Sequence, residues 1–457
     1  MTRILFLLSI CCTPFFLISQ EYIKNTKGNV VVTGEFGAKS NAKTGKMYLY
    51  EMLGNDENLI DSIRVTTGKF SFKAREFYAG VYRLGFNNAT NSLDFVINPS
   101  EKDQLHIVFN NYRINKNYDI TGSVENKIKK LYSVKETSIN SKIKLIKKSQ
   151  KPVPQKRQEI RTLQDELFQY GVSLNDQWPG TYYGMILSHM QSPNNEIPHL
   201  YFDDIDFTDQ SIVRSGLLPN RIQTYIQTYN DYKSNKYGFH DAVDVVMDYA
   251  TKNDFVAEFC MYNMLDGFYN TGQTQKGNDG IWMDLCNYIM DEYVFGEGCG
   301  DDIAPSDLLK ERASQYKNLQ LGSIPPNFSV RDMNKNLINL ETVCKNNKYT
   351  VVMFWASHCQ HCMAELPGFA NWYNKSTNKN FEIVAIALDG QQTKWEDTVK
   401  NNNFNWVNIC QFKVYKSPIC LDYKIKKTPT FFVLNSRMEI VAKPKSTNQL
   451  RSFLSAN

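Results

Sequence analysis

A surplus of one charge, low-complexity tracts and a long internal apolar run are all missing from these 457 residues. The 52 Lys and Arg exceed the 47 Asp and Glu by only five, which gives no indication of a nucleic-acid partner. With 24 Gly, 15 Pro and 42% hydrophobic residues, collagen-like and disordered compositions are excluded. Cysteine is scarce: of ten, Cys11 and Cys12 fall in the first twenty residues, leaving eight for all the rest. That density does not make a disulfide scaffold, so packed cores must carry the fold. No repeat of fixed period is present. No segment beyond the first twenty residues is long and apolar enough to span a bilayer.

What is present begins with those twenty residues. Arg3 precedes the apolar run Ile4 to Phe16, and Leu17, Ile18 and Ser19 offer a cleavage site before Gln20. This is the pattern of a secretory signal peptide over residues 1–19. It predicts export to the periplasm or cell envelope and an oxidising compartment for the mature chain. An uncleaved anchor is the alternative, so membrane association stays open.

The length suggests about three domains. From residue 25 to 122 apolar residues alternate with period two, and Ile63, Val65, Phe70 and Phe72 flank Thr66, Thr67, Gly68 and Lys69 as in a hairpin. An antiparallel β domain, sandwich or partial barrel, is expected there, with no catalytic cluster. Helical spacing runs from 123 to 319, an all-α domain. It opens with a lysine-rich helical hairpin broken at Pro152 and Pro154, whose stripe includes Ile128, Leu131 and Ile139. Cys260 and Cys286 lie on apolar stripes, as inert buried thiols do. Asp203, Asp204, Asp206 and Asp209 lack the glycine and closing Glu of a calcium loop, so loop and capping duty is expected. Gly322 to Asn327 reads as a linker, and 320–457 as an α/β domain.

Within that last domain the order is strand, helix, strand. Tyr349 to Trp355 is an apolar run of strand length that leads into Cys359, Gln360, His361 and Cys362, and a helical pattern follows. The CxxC thus opens a helix just after a buried strand, where βαβ units present reactive groups. A free thiol has a pKa of about 8.5 and attacks only as thiolate. Unpaired amides and the helix dipole favour the anion by about 1–2 kcal/mol at best. Cys359 is the expected nucleophile, and Cys362, with two residues between, the resolving thiol of a redox-active disulfide. Glu365 lies on the same helix face as Cys362 and suits a proton acceptor, or else faces solvent. His361 either supports the thiolate or is an exposed spacer.

Residues from about Pro325 to the end resemble a thioredoxin-fold domain of the TlpA/ResA type of envelope thiol-disulfide oxidoreductase. The likeness rests on Pro325, Pro326 and Phe328, the run from Phe354 to Cys362, Glu365 with Pro367, the strand ending at Leu388 and Asp389, and Tyr423 followed by Thr428 and Pro429. It implies that Pro429 is cis and faces the cysteines, that Thr428 offers backbone hydrogen bonds to substrate, and that Glu365 is the acid beneath Cys362. Thr428, Pro429, His361 and Trp355 are the substrate-facing residues expected on this likeness. The chain departs from the family in having His358 where Trp usually precedes the first cysteine, and Gln360 and His361 where Pro often intervenes. His361 pulls toward oxidation and Glu365 is shared by reducing members, so reduction or exchange is the adopted direction. Related folds span about −270 to −120 mV. The upstream regions are similar to accessory domains of such envelope proteins.

The expected partners are protein thiols or disulfides of the envelope and a redox partner protein, with no cofactor, no metal and no nucleic acid. A peroxidase is disfavoured because Trp355 to His358 lacks the Pro and Thr pattern, and c-type haem because Met363 follows Cys362. The competing class is a non-catalytic envelope binding protein with a vestigial thioredoxin module. Cys410 and Cys420 form a structural disulfide or stay free thiols.

Overall fold

The computed structural model describes residues 22–37, 40, 44–54, 56–194, 197–229, 237–274, 279–296, 304–377 and 379–457. The expected signal peptide, with Cys11 and Cys12, and Cys299 lie outside the described residues. Two compact units divide at Tyr229 and Asn230. The helical stretch is therefore shared between them.

The first unit opens with nine strands: β1 (Lys27–Phe36), β2 (Gly45–Leu53), β3 (Asp56–Val65), β4 (Lys69–Ser71), β5 (Arg75–Tyr78), β6 (Gly80–Phe86), β7 (Asn88–Ile97), β8 (Gln104–Phe109) and β9 (Tyr118–Ile120). They form two sheets, β4-β1-β8-β9 with β5 also on β1, and β3-β2-β6-β7. One pair, β1 with β8, is parallel. That pair breaks the all-antiparallel expectation, because the chain between the two strands crosses to the other sheet and returns. The expected hairpin keeps only its turn: Thr67 and Gly68 have positive φ and a single bridge joins Thr66 to Lys69, but β3 pairs with β2 and β4 with β1, so the chain passes there from one sheet to the other. Val32, Leu49, Tyr82, Leu84, Phe95 and Ile107 fill the space within.

Helices α1 (Val124–Lys148), α2 (Val153–Gln177), α3 (Tyr182–Ser188) and α4 (Leu217–Tyr229) complete this unit. Asn126 pins α1 to β7 through 2.8 Å bonds with Val96 N and O. Of the α1 stripe, Ile128 and Ile139 are buried while Leu131 is exposed. The aspartates serve as loop anchors: Asp204 grips Arg221 with both oxygens at 2.8 and 2.9 Å, and Asp209 caps the turn at Ser211.

The second unit begins with α5 (Tyr237–Ala250), α6 (Asp254–Thr274), α7 (Asp279–Tyr288) and α8 (Asp307–Lys317). Cys260 and Cys286 are buried there, and burial pushes both thiols far up. The 322–327 segment is not a loose tether: Gly322 N donates to Ile440 O at 2.8 Å and Ile440 N to Ser323 O at 2.9 Å. After it come β10 (Ser329–Arg331), β11 (Leu337–Asn339), α9 (Leu340–Lys345), β12 (Tyr349–Trp355), α10 (Gln360–Lys375), β13 (Phe381–Ala387), α11 (Gln392–Asn401), β14 (Val407–Cys410), α12 (Pro418–Asp422), β15 (Thr430–Asn435), β16 (Ile440–Ala442) and α13 (Thr447–Ala456). The sheet order is β14-β13-β12-β15-β16, with β12, β13 and β14 parallel and β15 and β16 antiparallel. Val351 to Trp355 are buried on both faces, as the inner strand of a doubly covered sheet must be. No helix among the described residues is long and apolar enough to cross a membrane.

Candidate active site

The central strand β12 runs out at Trp355, and α10 starts five residues later. Cys359 is the N-cap of α10, with extended backbone, and its sulfur accepts the Cys362 N–H at 3.2 Å. A side chain at this position meets the otherwise unpaired amides of the first turn and the positive end of the dipole. As a thiol, Cys359 donates to Thr428 O at 3.5 Å. Burial works against its anion, yet hydrogen bonds from the Cys362 thiol, Thr428 and the backbone N–H groups of Cys362 and His361 outweigh it and hold the Cys359 thiol below its ordinary value.

Cys362 is buried, on the α10 face shared with Leu366, Phe369 and Tyr373. Burial, then the Cys359 sulfur, pushes its thiol up to about 12. The two sulfurs of one motif thus sit on opposite sides of the ordinary range. Only Cys359 reaches solvent in part. Such a pair can attack with the first sulfur and close with the second.

The Thr428–Pro429 bond is cis, and β15 begins at Thr430. His361 is exposed, and its influence on Cys359 runs through its backbone N–H. Glu365 stands one turn after Cys362, where its Oε2 accepts from Thr447 N and Thr447 Oγ1, both at 2.9 Å. The carboxylate therefore ties α10 to the first turn of α13. Trp355, expected to face substrate, is fully buried with its ring edge-on to Phe404. Both faces of β12 are covered, so its last side chain belongs to the core. Cys410 and Cys420 are free thiols; burial raises both, Cys420 to about 11.

Two residues of the site, Tyr415 and Thr447, and the role of a third, Asp389, were not legible in the sequence. Asp389, buried, accepts Ser357 N at 3.0 Å and Ser357 Oγ at 2.5 Å and lies 3.5 Å from His358 Nδ1. It holds the turn between β12 and the CxxC. The signal was available in pairing: Trp355 is in register with Ala387, so residues just past both parallel strands meet at one edge. Tyr415 lies within reach of Thr428, Cys359, Cys362 and Cys420. Its loop carries Phe412 and Val414 in the left-handed region, at φ 54° and 52°, a conformation costing bulky residues about 1–2 kcal/mol each. Thr447, the partner of Glu365, is 82 residues away in sequence.

Residues 346–440 match the family described as thioredoxin-like, and residues 30–128 match a domain of unknown function, DUF4369. The thiol-disulfide oxidoreductase ResA of Bacillus cereus is 29% identical over 149 residues, covering 30% of this chain and 79% of that protein. Sporulation thiol-disulfide oxidoreductase A of Bacillus subtilis is 28% identical over 110 residues, 23% of this chain and 65% of its own length. Among solved structures, a thiol-disulfide oxidoreductase from Bacteroides fragilis is 28% identical, with 29% of this chain and all of that chain covered and a TM-score of 0.26. The C-terminal domain is a thioredoxin-like domain related to the ResA/TlpA thiol-disulfide oxidoreductases, and the N-terminal strands belong to a DUF4369 domain.

Proposed function

We propose that this chain is an exported envelope protein that reduces or exchanges disulfides in protein substrates. The observation that carries the reading is the asymmetry of the pair: Cys359 partly exposed and depressed, Cys362 buried and raised. The Cys359 thiolate attacks one sulfur of a substrate disulfide, forming a mixed disulfide and releasing the other sulfur as a thiolate. Cys362 gives up its proton and attacks Cys359 Sγ. That closes the Cys359–Cys362 disulfide and releases the second substrate sulfur, so two electrons leave the protein and a partner dithiol must restore them.

The reducing direction is supported by what holds the Cys359 anion. The donors are neutral thiol, hydroxyl and amide groups, which stabilise the reduced form less than a cationic side chain does, and a less stabilised reduced form is a better reductant. Glu365 is the assigned proton acceptor for Cys362, acting across one helical turn. Thr428 and Pro429 are the proposed substrate-facing pair beside Cys359, with Thr428 offering its backbone to the incoming chain, a role supported by the 3.5 Å contact of Cys359 Sγ with Thr428 O.

Insulin reduction by the full chain tests this, with Cys359→Ser as control. Turnover that falls to the uncatalysed level in Cys359→Ser, together with a potential below about −200 mV in glutathione equilibration, is expected. Turnover that survives Cys359→Ser, or none in the wild type, overturns the reading in favour of a binding protein. Export is checked by the mass of the mature chain, expected to begin at Gln20.

A further inference from the structure

The turn that carries Thr428 and Pro429 is bordered by an unassigned cavity. Lys427 and Thr430, the residues on either side of the pair, both line a space of about 150 Å³ closed by Tyr269, Asn270, Tyr423 and Phe432. Three of its walls are fully buried rings, Tyr269, Tyr423 and Phe432, and Lys424, Ile425 and Lys426 line it beside Lys427, so a charge against the rings is poorly screened. Lys427 is half-buried here, and burial and the like charge of Lys445 both disfavour its ammonium. No ion pair with a carboxylate answers it among the described residues. Neighbouring Lys426 lies 3.8 Å from Asp266, and Lys445 Nζ donates to Gly272 O at 3.2 Å.

Charge gathers around this cavity along the chain as well. Residues 411–446 hold eight Lys and Arg against two Asp and Glu, a surplus of six, while the whole chain sums to +5. A half-buried cation repelled by a second one, in a space the size of one side chain, is complementary to an anion that enters from outside. Thr428 O is 3.5 Å from the Cys359 sulfur. A substrate strand held there advances about 3.3–3.6 Å per residue, and the cavity begins at the residues directly before and after the Thr428–Pro429 turn.

We propose that this cavity takes an acidic side chain of the substrate polypeptide, so that Lys427 selects disulfides with Asp or Glu close to the reactive cysteine. The inference rests on the thiol-exchange reading for its setting, and its test does not require turnover. Fluorescein-labelled nonapeptides with Ser in place of Cys, flanked by Asp and Glu or by Asn and Gln, are titrated against the full chain by anisotropy. The acidic peptide is expected to bind about tenfold tighter at 50 mM NaCl, with the advantage shrinking at 500 mM. Lys427→Gln removes the preference, Lys427→Arg keeps it, and Lys427→Glu turns it toward a Lys-flanked peptide. Equal binding of acidic and amide peptides to the wild type, no acidic-peptide binding up to millimolar concentration, or a preference that persists in Lys427→Gln overturns the proposal. Failure of the exchange chemistry appears separately, as absent insulin turnover.

Discussion

The β sandwich of the first unit and the five-stranded sheet of the second bury their interiors equally well, with Leu84 and Phe95 in one and Val351 and Phe354 in the other fully enclosed. They differ in how consecutive strands are joined. In the sandwich, β2, β3, β6 and β7 pair as antiparallel neighbours, so most strand ends lead into turns. In the second sheet β12 and β13 are parallel, and the return path between them is α10. A parallel crossover obliges a helix to begin beside the end of a buried strand, and unpaired amides come with it. Chemistry collects there because a thiolate can be stabilised without a neighbouring cation.

Within the second unit the thiols themselves give the widest contrast. Cys359 is depressed and Cys420 is pushed up to about 11, so at pH 7 only about one Cys420 in ten thousand is thiolate. Pulse alkylation followed by peptide mass mapping should label Cys359 well over a hundredfold faster than Cys420. Raising the pH toward 11 should close the gap, because the high-pKa thiol gains thiolate while Cys359 is already ionised. Comparable rates at pH 7 would remove the helix entrance as the distinguishing feature.

Truncating the sandwich core tests the other side of the comparison. Phe95→Ala should lower the stability of the first unit by about 3–5 kcal/mol, read from denaturant unfolding of the full chain. Insulin turnover per folded molecule should stay within about twofold, since no reacting group lies in that sheet. A proportionate loss of turnover would tie the sandwich to the chemistry.

Asp389 sharpens the contrast at the strand end. Asp389→Ala leaves Ser357 N and Oγ without their acceptor and should cost about 1–3 kcal/mol. As a positioning residue it should also shift the pH midpoint of Cys359 alkylation, with Asp389→Asn restoring most of the wild-type profile because an acceptor oxygen remains. The smallest effect is expected at Glu365. Glu365→Gln keeps an oxygen for Thr447 and so preserves the fold, but lacks basicity and should slow resolution of the mixed disulfide several-fold between pH 6 and 9. Stopped-flow exchange identical to wild type would leave Glu365 only its bond to α13.

Local pattern made much of this legible. The period-two alternation of the β domain, the tight turn at Thr66 to Lys69, the helix break at Pro152 and the apolar run into the CxxC are all properties of neighbours in sequence, and each reappears in place; the pairing of the strands on either side of that turn does not, since β3 lies on β2 and β4 on β1. Trp355 misled because a strand end looks the same whether its last side chain faces solvent or core; the covering Phe404 is 49 residues away. The bonds of Asp389 to Ser357 and of Thr447 to Glu365 were hidden for the same reason, each joining separate elements.

The order of residues alone determined that a thiol pair opens a helix after a buried strand, since two-residue spacing and apolar periodicity are local and survive any packing. Tertiary structure decided which sulfur is exposed, which carboxylate holds the turn and which rings enclose the space beside Lys427. Burial and electrostatic fields are sums over groups that only folding brings together.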